Sequence, residues 1–147
     1  MKKVILSLIL MTSAIFSFEK DNDSFNYDAV GADFIAPAIG VGTRSWDGDN
    51  GFDLNVSFSS IVLINRSSVI ASYLKKLNDN KYVGAGVGVF TALVFLNGES
   101  RVNFGMFPSL KIGKETENHF HEVSLIIPQV STYGVSVIPL VSYRYGF

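Results

Sequence analysis

The stretch from Gly134 to Phe147 constrains the fold most. Phe147, Tyr145, Tyr143, Val141, Pro139, Val137 and Val135 share one parity. Gly146, Arg144, Ser142, Leu140, Ile138, Ser136 and Gly134 share the other. Successive side chains of a strand point to opposite faces. One face of this stretch is therefore apolar throughout and ends in aromatics. The other is small and polar, with two aliphatics.

The same period of two runs through most of the chain. Phe25, Tyr27 and Ala29 share a face in a weak first strand. From Phe34 to Trp46, Ile35, Pro37, Ile39, Val41 and Thr43 oppose Ala36, Ala38, Gly40, Gly42 and Arg44. Phe52, Leu54, Val56 and Phe58 oppose Asp53, Asn55, Ser57 and Ser59. Ser68 to Leu77 is a noisier strand. In Tyr82 to Phe95 an outward Val/Ala/Leu row opposes Gly84, Gly86 and Gly88, and in Arg101 to Gly113 Val102 to Ile112 oppose Arg101 to Gly113. Val123, Leu125 and Ile127 oppose Glu122, Ser124 and Ile126. Turns are expected at Val30–Asp33, Asp47–Gly51, Asn65–Ser67, Asn78–Asn80, Asn97–Ser100, Lys114–Asn118 and Ser131–Gly134, where Gly, Asn and Asp tolerate turn geometry. A bulge is expected over Ser60–Leu63, and others at the outward prolines Pro37, Pro108 and Pro139, because proline cannot donate to a ladder. The segments around these prolines form a weak internal repeat.

Charged residues make up 17% and mean hydropathy is +0.30, against roughly 25% charged in soluble domains. Yet no run reaches the roughly 18 apolar residues of a spanning helix. Apolar residues dispersed at alternate positions suit a barrel in a membrane instead. A net charge of −1 leaves no basic surplus for nucleic acid, and with no cysteine there is no disulfide or thiolate chemistry. Residues 1–17 read as a signal peptide: Lys2 and Lys3, an apolar core from Val4 to Met11, then Ala14 and Ser17 for cleavage. Residues 18–24 read as a polar leader, and 25–147 as one domain.

The closing stretch resembles the last strand of bacterial outer-membrane β-barrels. The whole pattern is similar to the small eight-stranded class, such as the membrane-anchor barrel of outer-membrane protein A. That resemblance implies an all-β, antiparallel, up-and-down transmembrane barrel, with strand number even. It implies that Val141, Tyr143, Tyr145 and Phe147 form the signal read by the barrel insertion machinery. It also implies outer-membrane lipid as the partner and the bacterial outer membrane as the location. A secreted soluble β-sandwich binding module is the competing fold, since it too shows one apolar face per strand.

Candidate chemistry is sparse. The glycine row at 84, 86 and 88 lacks the helix and the Lys-Ser/Thr of a phosphate loop. Asp47, Asp49 and Asp53 fail the calcium-loop spacing. His119 and His121, with Glu117, fall short of a metal site. His121, Ser124 and Glu122 would resemble an acyl-hydrolase set, but alternation puts His121 on the other face. No cofactor, metal or catalytic activity is expected. The inner face carries Arg44, Asp53, Lys76, Arg101, Lys111, Glu122 and Arg144. Arg44 with Asp53, and Glu122 with Arg144, are expected as cross-strand ion pairs filling one end of the lumen. The expected role is structural or membrane-associated; the alternative is a narrow channel for small solutes.

Overall fold

The computed structural model describes residues 24–33, 36–61, 63–96, 99–117, 119–126, 129–131, 134–136 and 140–147. The signal-peptide expectation, all of the leader but Ser24, and Pro139 lie outside them. Ten strands follow in order: β1 (Ser24–Asp33), β2 (Ala36–Asp47), β3 (Asn50–Ile61), β4 (Ile64–Asn78), β5 (Lys81–Leu96), β6 (Glu99–Thr116), β7 (His119–Ile126), β8 (Gln129–Ser131), β9 (Gly134–Ser136) and β10 (Leu140–Gly146). All pairings are antiparallel. The sheet runs β5-β4-β3-β2-β1-β10-β7-β6, and a β5–β6 ladder closes it into an eight-stranded barrel. The short β8–β9 hairpin extends the β7 side along β6. Closure excludes the two-sheet sandwich.

Alternation sets the facing of nearly every residue. Ile39, Val87, Val102, Phe104, Met106, Leu110 and Ile112 are exposed on the outer wall, with Val87 at 67%. Asp53, Asn55, Ser57 and Ser59 are buried, as are Arg44, Lys111, Glu122 and Arg144. The polar set is thus inside and the apolar set outside, the reverse of a soluble domain.

Several connections depart from expectation, and the turn expected over Val30–Asp33 is strand to the end of β1. β3 and β4 pair in unbroken register to Ile61↔Ile64, with no bulge over Ser60 and Ile61. Asn65, Arg66 and Ser67 lie within β4. The turn expected at Asn65–Ser67 is therefore strand, and the chain turns instead at Leu63, within the expected bulge. Similarly, β6 continues through Lys114 and Glu115 to Thr116, leaving Glu117, at φ 53°, as the described turn residue. Glu99 and Ser100 belong to β6 as well. At Asp47–Asn50 the chain turns on Gly48 and Asp49 alone, with Gly48 at φ 57°.

Of the described prolines, Pro37 and Pro108 pair without a bulge in the β1–β2 and β5–β6 ladders. Pro37 pairs with Ala32, but the β2–β3 ladder starts only at Ala38, so the missing N–H meets no neighbour there. Pro108 pairs with Val87 without a shift. Beside it, on the other edge of β6, Ser109↔Ile126 gives way to Met106↔Val130, a shift of one residue. A further shift lies between Lys76 and Asn78 in the β4–β5 pair.

The lumen is narrow, and the sequence makes room by pairing bulk with glycine. Tyr27↔Gly42, Trp46↔Gly51, Leu74↔Gly84, Tyr82↔Gly113, Gly88↔Phe107, Phe90↔Gly105 and Gly146↔Phe120 are all direct cross-strand partners. A Cβ on any of these glycines would collide with the ring or methyl opposite. Each large inward side chain therefore lies flat across a neighbouring backbone, which keeps eight strands closed around a filled interior.

Candidate functional site

The site is the ionic cluster near the strand ends joined by the tight turns. The Gly48-Asp49 turn holds β2 and β3 in register, so Arg44 faces Asp53 directly. The Glu117 turn sets β6 against β7, and β7 against β10 puts Glu122 opposite Arg144. The narrow barrel then brings these strands together across its axis.

Arg44 is fully buried and sits at the centre. Its Nη2 lies 3.1 Å from Asp53 Oδ1 and 3.0 Å from Glu122 Oε2, and its Nη1 lies 2.8 Å from Glu115 Oε2. Its guanidinium lies over the Phe120 ring at 3.9 Å and the Tyr82 ring at 4.8 Å, a geometry that favours a cation on a π face. Lys111 bridges the same two carboxylates, at 2.9 Å from Asp53 Oδ2 and 3.2 Å from Glu122 Oε1. Arg144 Nη1 is 3.7 Å from Glu122 Oε1, an ion pair without a hydrogen bond. Tyr27 donates to Asp53 at 2.8 Å, Tyr82 donates to Glu122 at 3.0 Å, and Trp46 Nε1 donates to Glu115 at 2.7 Å.

Three cations (Arg44, Lys111, Arg144) thus meet three carboxylates (Asp53, Glu115, Glu122). The cluster is neutral, and every carboxylate accepts at least one hydrogen bond, the condition under which buried charge is tolerated. Instead of two separate couples there is one network, because Arg44 and Lys111 each reach both sides of the lumen. Glu115, expected within the Lys114–Asn118 turn, lies in β6 and shares the inward parity of Lys111 and Gly113. Lys111 faces inward as expected and finds its partners across the lumen, in Asp53 and Glu122.

The other inward charges are elsewhere. Arg101 is exposed and pairs with Glu99 at 3.2 Å, outside the buried lumen. Lys76 lies over Trp46 at the mouth. Arg66 stands over the rings of Phe90 at 4.6 Å and Phe107 at 5.0 Å. These rings belong to an apolar cluster with Ile70, Ala92, Ile126 and Leu140. Between the two clusters lie buried hydroxyls, Ser57 bonded to Ser68 at 2.8 Å, with Ser72, Ser109, Ser124 and Ser142. Ser72 Oγ, Ser109 Oγ and Asn55 Oδ1 have no protein partner among the described residues.

The outer wall holds the remaining candidates. His121 is exposed while Ser124 and Glu122 are buried, so the three do not converge. His121 Nδ1 is 2.7 Å from the Tyr143 hydroxyl, and Tyr145 stacks between His119 and Phe147. Phe147 exchanges both backbone hydrogen bonds with Asp28, so it is the last pair of the β1–β10 seam. No group of three acidic or histidine residues suited to a metal occurs among the described residues.

Wall and interior together define a small closed antiparallel β-barrel with an apolar exterior and an ion-paired core. The crystal structure of the N-terminal β-barrel domain of Pseudomonas aeruginosa OprF is similar, with a TM-score of 0.60 over 88% of this chain and 98% of that one, at 19% identity. The resemblance to small eight-stranded barrels read from the sequence therefore holds at the level of fold. No protein-family description and no curated protein matches the chain.

Proposed function

We propose that the chain is an integral outer-membrane barrel with a structural role, and that its lumen is closed to free conduction. One observation carries this reading: apolar side chains are exposed around the wall while charged ones are buried inside. In water that wall would be an aggregation hazard. In a bilayer it is the solvated face, and closure satisfies the backbone without water. The strands of 7 to 18 residues that form the ring bracket the roughly 9–11 needed to cross at a tilt. The tight-turn end faces the periplasm in this reading. Val141, Tyr143, Tyr145 and Phe147 serve as the outward row that engages the insertion machinery.

The closed lumen follows from two plugs in series, the neutral ionic cluster and the Phe90–Phe107 cluster. A narrow channel is the second reading, favoured by the unpartnered hydroxyls between the plugs. Both readings meet one set of measurements. The refolded chain should migrate differently when boiled and stay in the detergent phase. In planar bilayers it should give no steady conductance. A large sustained current would replace the structural reading with the channel. Partition into the aqueous phase as a monomer would remove the membrane. In cells, Phe147→Ala should lower the amount of heat-modifiable form; an unchanged amount would remove the signal role.

A further inference from the structure

Outside the lumen, the wall carries a row of cations at the tight-turn end. Lys81 on β5 is the direct partner of Lys114 on β6, and Lys114 is the direct partner of His121 on β7. All three are exposed. Like charges placed directly opposite destabilise a ladder. Neither ammonium has an ion pair or hydrogen bond among the described residues. Asp79 and Glu117 sit on the turns just beyond, yet pair with neither. His121 binds the Tyr143 hydroxyl through Nδ1, which leaves Nε2 without a partner among the described residues.

Two residues along each strand, away from the turns, the same face becomes apolar. Ile112 and Val123 are exposed there, beside the half-buried Val83. On the far side of Phe147 the outward charges change sign: Asp28 and Asp47 are exposed on β1 and β2. The cationic row therefore covers one sector of the wall and abuts an apolar field. A ligand that matches both halves has an anionic head and an apolar tail.

We propose that Lys81, Lys114 and His121 hold the phosphate of an anionic phospholipid, whose acyl chains lie along Val83, Ile112 and Val123. The shared anion relieves the repulsion between the two lysines. The site rests on the membrane reading of the barrel, and because the row is exposed, retention should weaken as salt rises.

The test uses the folded full chain in micelles containing equal parts of phosphatidylcholine and phosphatidylglycerol, with retained lipid counted by native mass spectrometry. Wild type should retain phosphatidylglycerol in preference. Lys81→Gln/Lys114→Gln should lower that retention about thirtyfold, and Lys114→Gln alone should lower it in part. Arg101→Gln, whose guanidinium pairs with Glu99 at the opposite end of β6, should not change it. Heat-modifiable migration checks that each variant is folded. Equal retention of both lipids, or undiminished retention by the double variant, would overturn the site. Displacement by inorganic phosphate at the lipid's own concentration would make it a free-anion site and overturn the lipid. Failure to fold into vesicles of either lipid would sink the membrane reading as well; folding into both with no retained phosphatidylglycerol would sink the site alone.

Discussion

Replacing Arg44 by Met tests the network most directly. Arg44 has no solvent exposure and contacts three carboxylates at 2.8 to 3.1 Å. Without it, Lys111 and Arg144 face Asp53, Glu115 and Glu122, and one negative charge is left over. Breaking a buried pair from one side costs about 3–5 kcal/mol, because the remaining charge stays out of water. Arg144→Met leaves the same surplus charge, but it breaks a single 3.7 Å ion pair with no hydrogen bond where Arg44→Met breaks three close ones, so it should cost less. Arg44→Met combined with Glu122→Gln restores neutrality, with two cations against Asp53 and Glu115. The double variant should be more stable than the sum of its singles by about 1 kcal/mol or more, within the coupling typical of shared networks. Arg101→Gln is the internal control, since the Glu99–Arg101 pair is exposed and its loss should fall within about 1 kcal/mol. Urea unfolding from vesicles provides the measurement. The fluorescence of Trp46, the single tryptophan, reports on the cluster because its indole donates to Glu115. An Arg44→Met midpoint at the wild-type value would refute the network. So would strict additivity with Glu122→Gln, or equal losses for Arg44→Met and Arg144→Met.

Two further outcomes test the wall and the packing. Val87→Arg places a cation outward in mid-strand and should destabilise the vesicle-inserted barrel by about 2–4 kcal/mol; tolerance without loss in urea unfolding would mean Val87 does not meet lipid. Gly113→Ala puts a methyl into the Tyr82 ring and should cost about 1–3 kcal/mol of overpacking, while Gly113→Ala with Tyr82→Leu should recover part of it; an additive pair would show that the glycine is not there to receive the ring.

Side-chain facing was legible in the sequence because alternation is a local property. Residues from Phe52 to Ser59, Tyr82 to Phe95 and Val102 to Gly113 need only their own chain to choose a face. The opposition of Arg44 and Asp53 was legible too, since a short turn determines the register of the strands it joins. Connections were less legible. Asn65-Arg66-Ser67 carries turn-forming polar residues yet lies in β4, while the hairpin tip beside it includes Leu63. Composition misleads there because the lumen is polar and the wall apolar, so polarity does not mark a turn. The same confusion hid Glu115, a charged residue next to a charged turn.

What only the tertiary structure decided is who meets whom across the barrel. Arg44 and Glu122 lie 78 residues apart, on strands that share no ladder. Their 3.0 Å contact depends on how many strands close the ring and how far each is staggered. Lys111 reaches Asp53 for the same reason. Period-two alternation gives each side chain a face, but only closure gives the inner face a common centre. The glycines opposite Tyr27, Tyr82 and Phe120 let that centre be small enough for three cations and three carboxylates to share it.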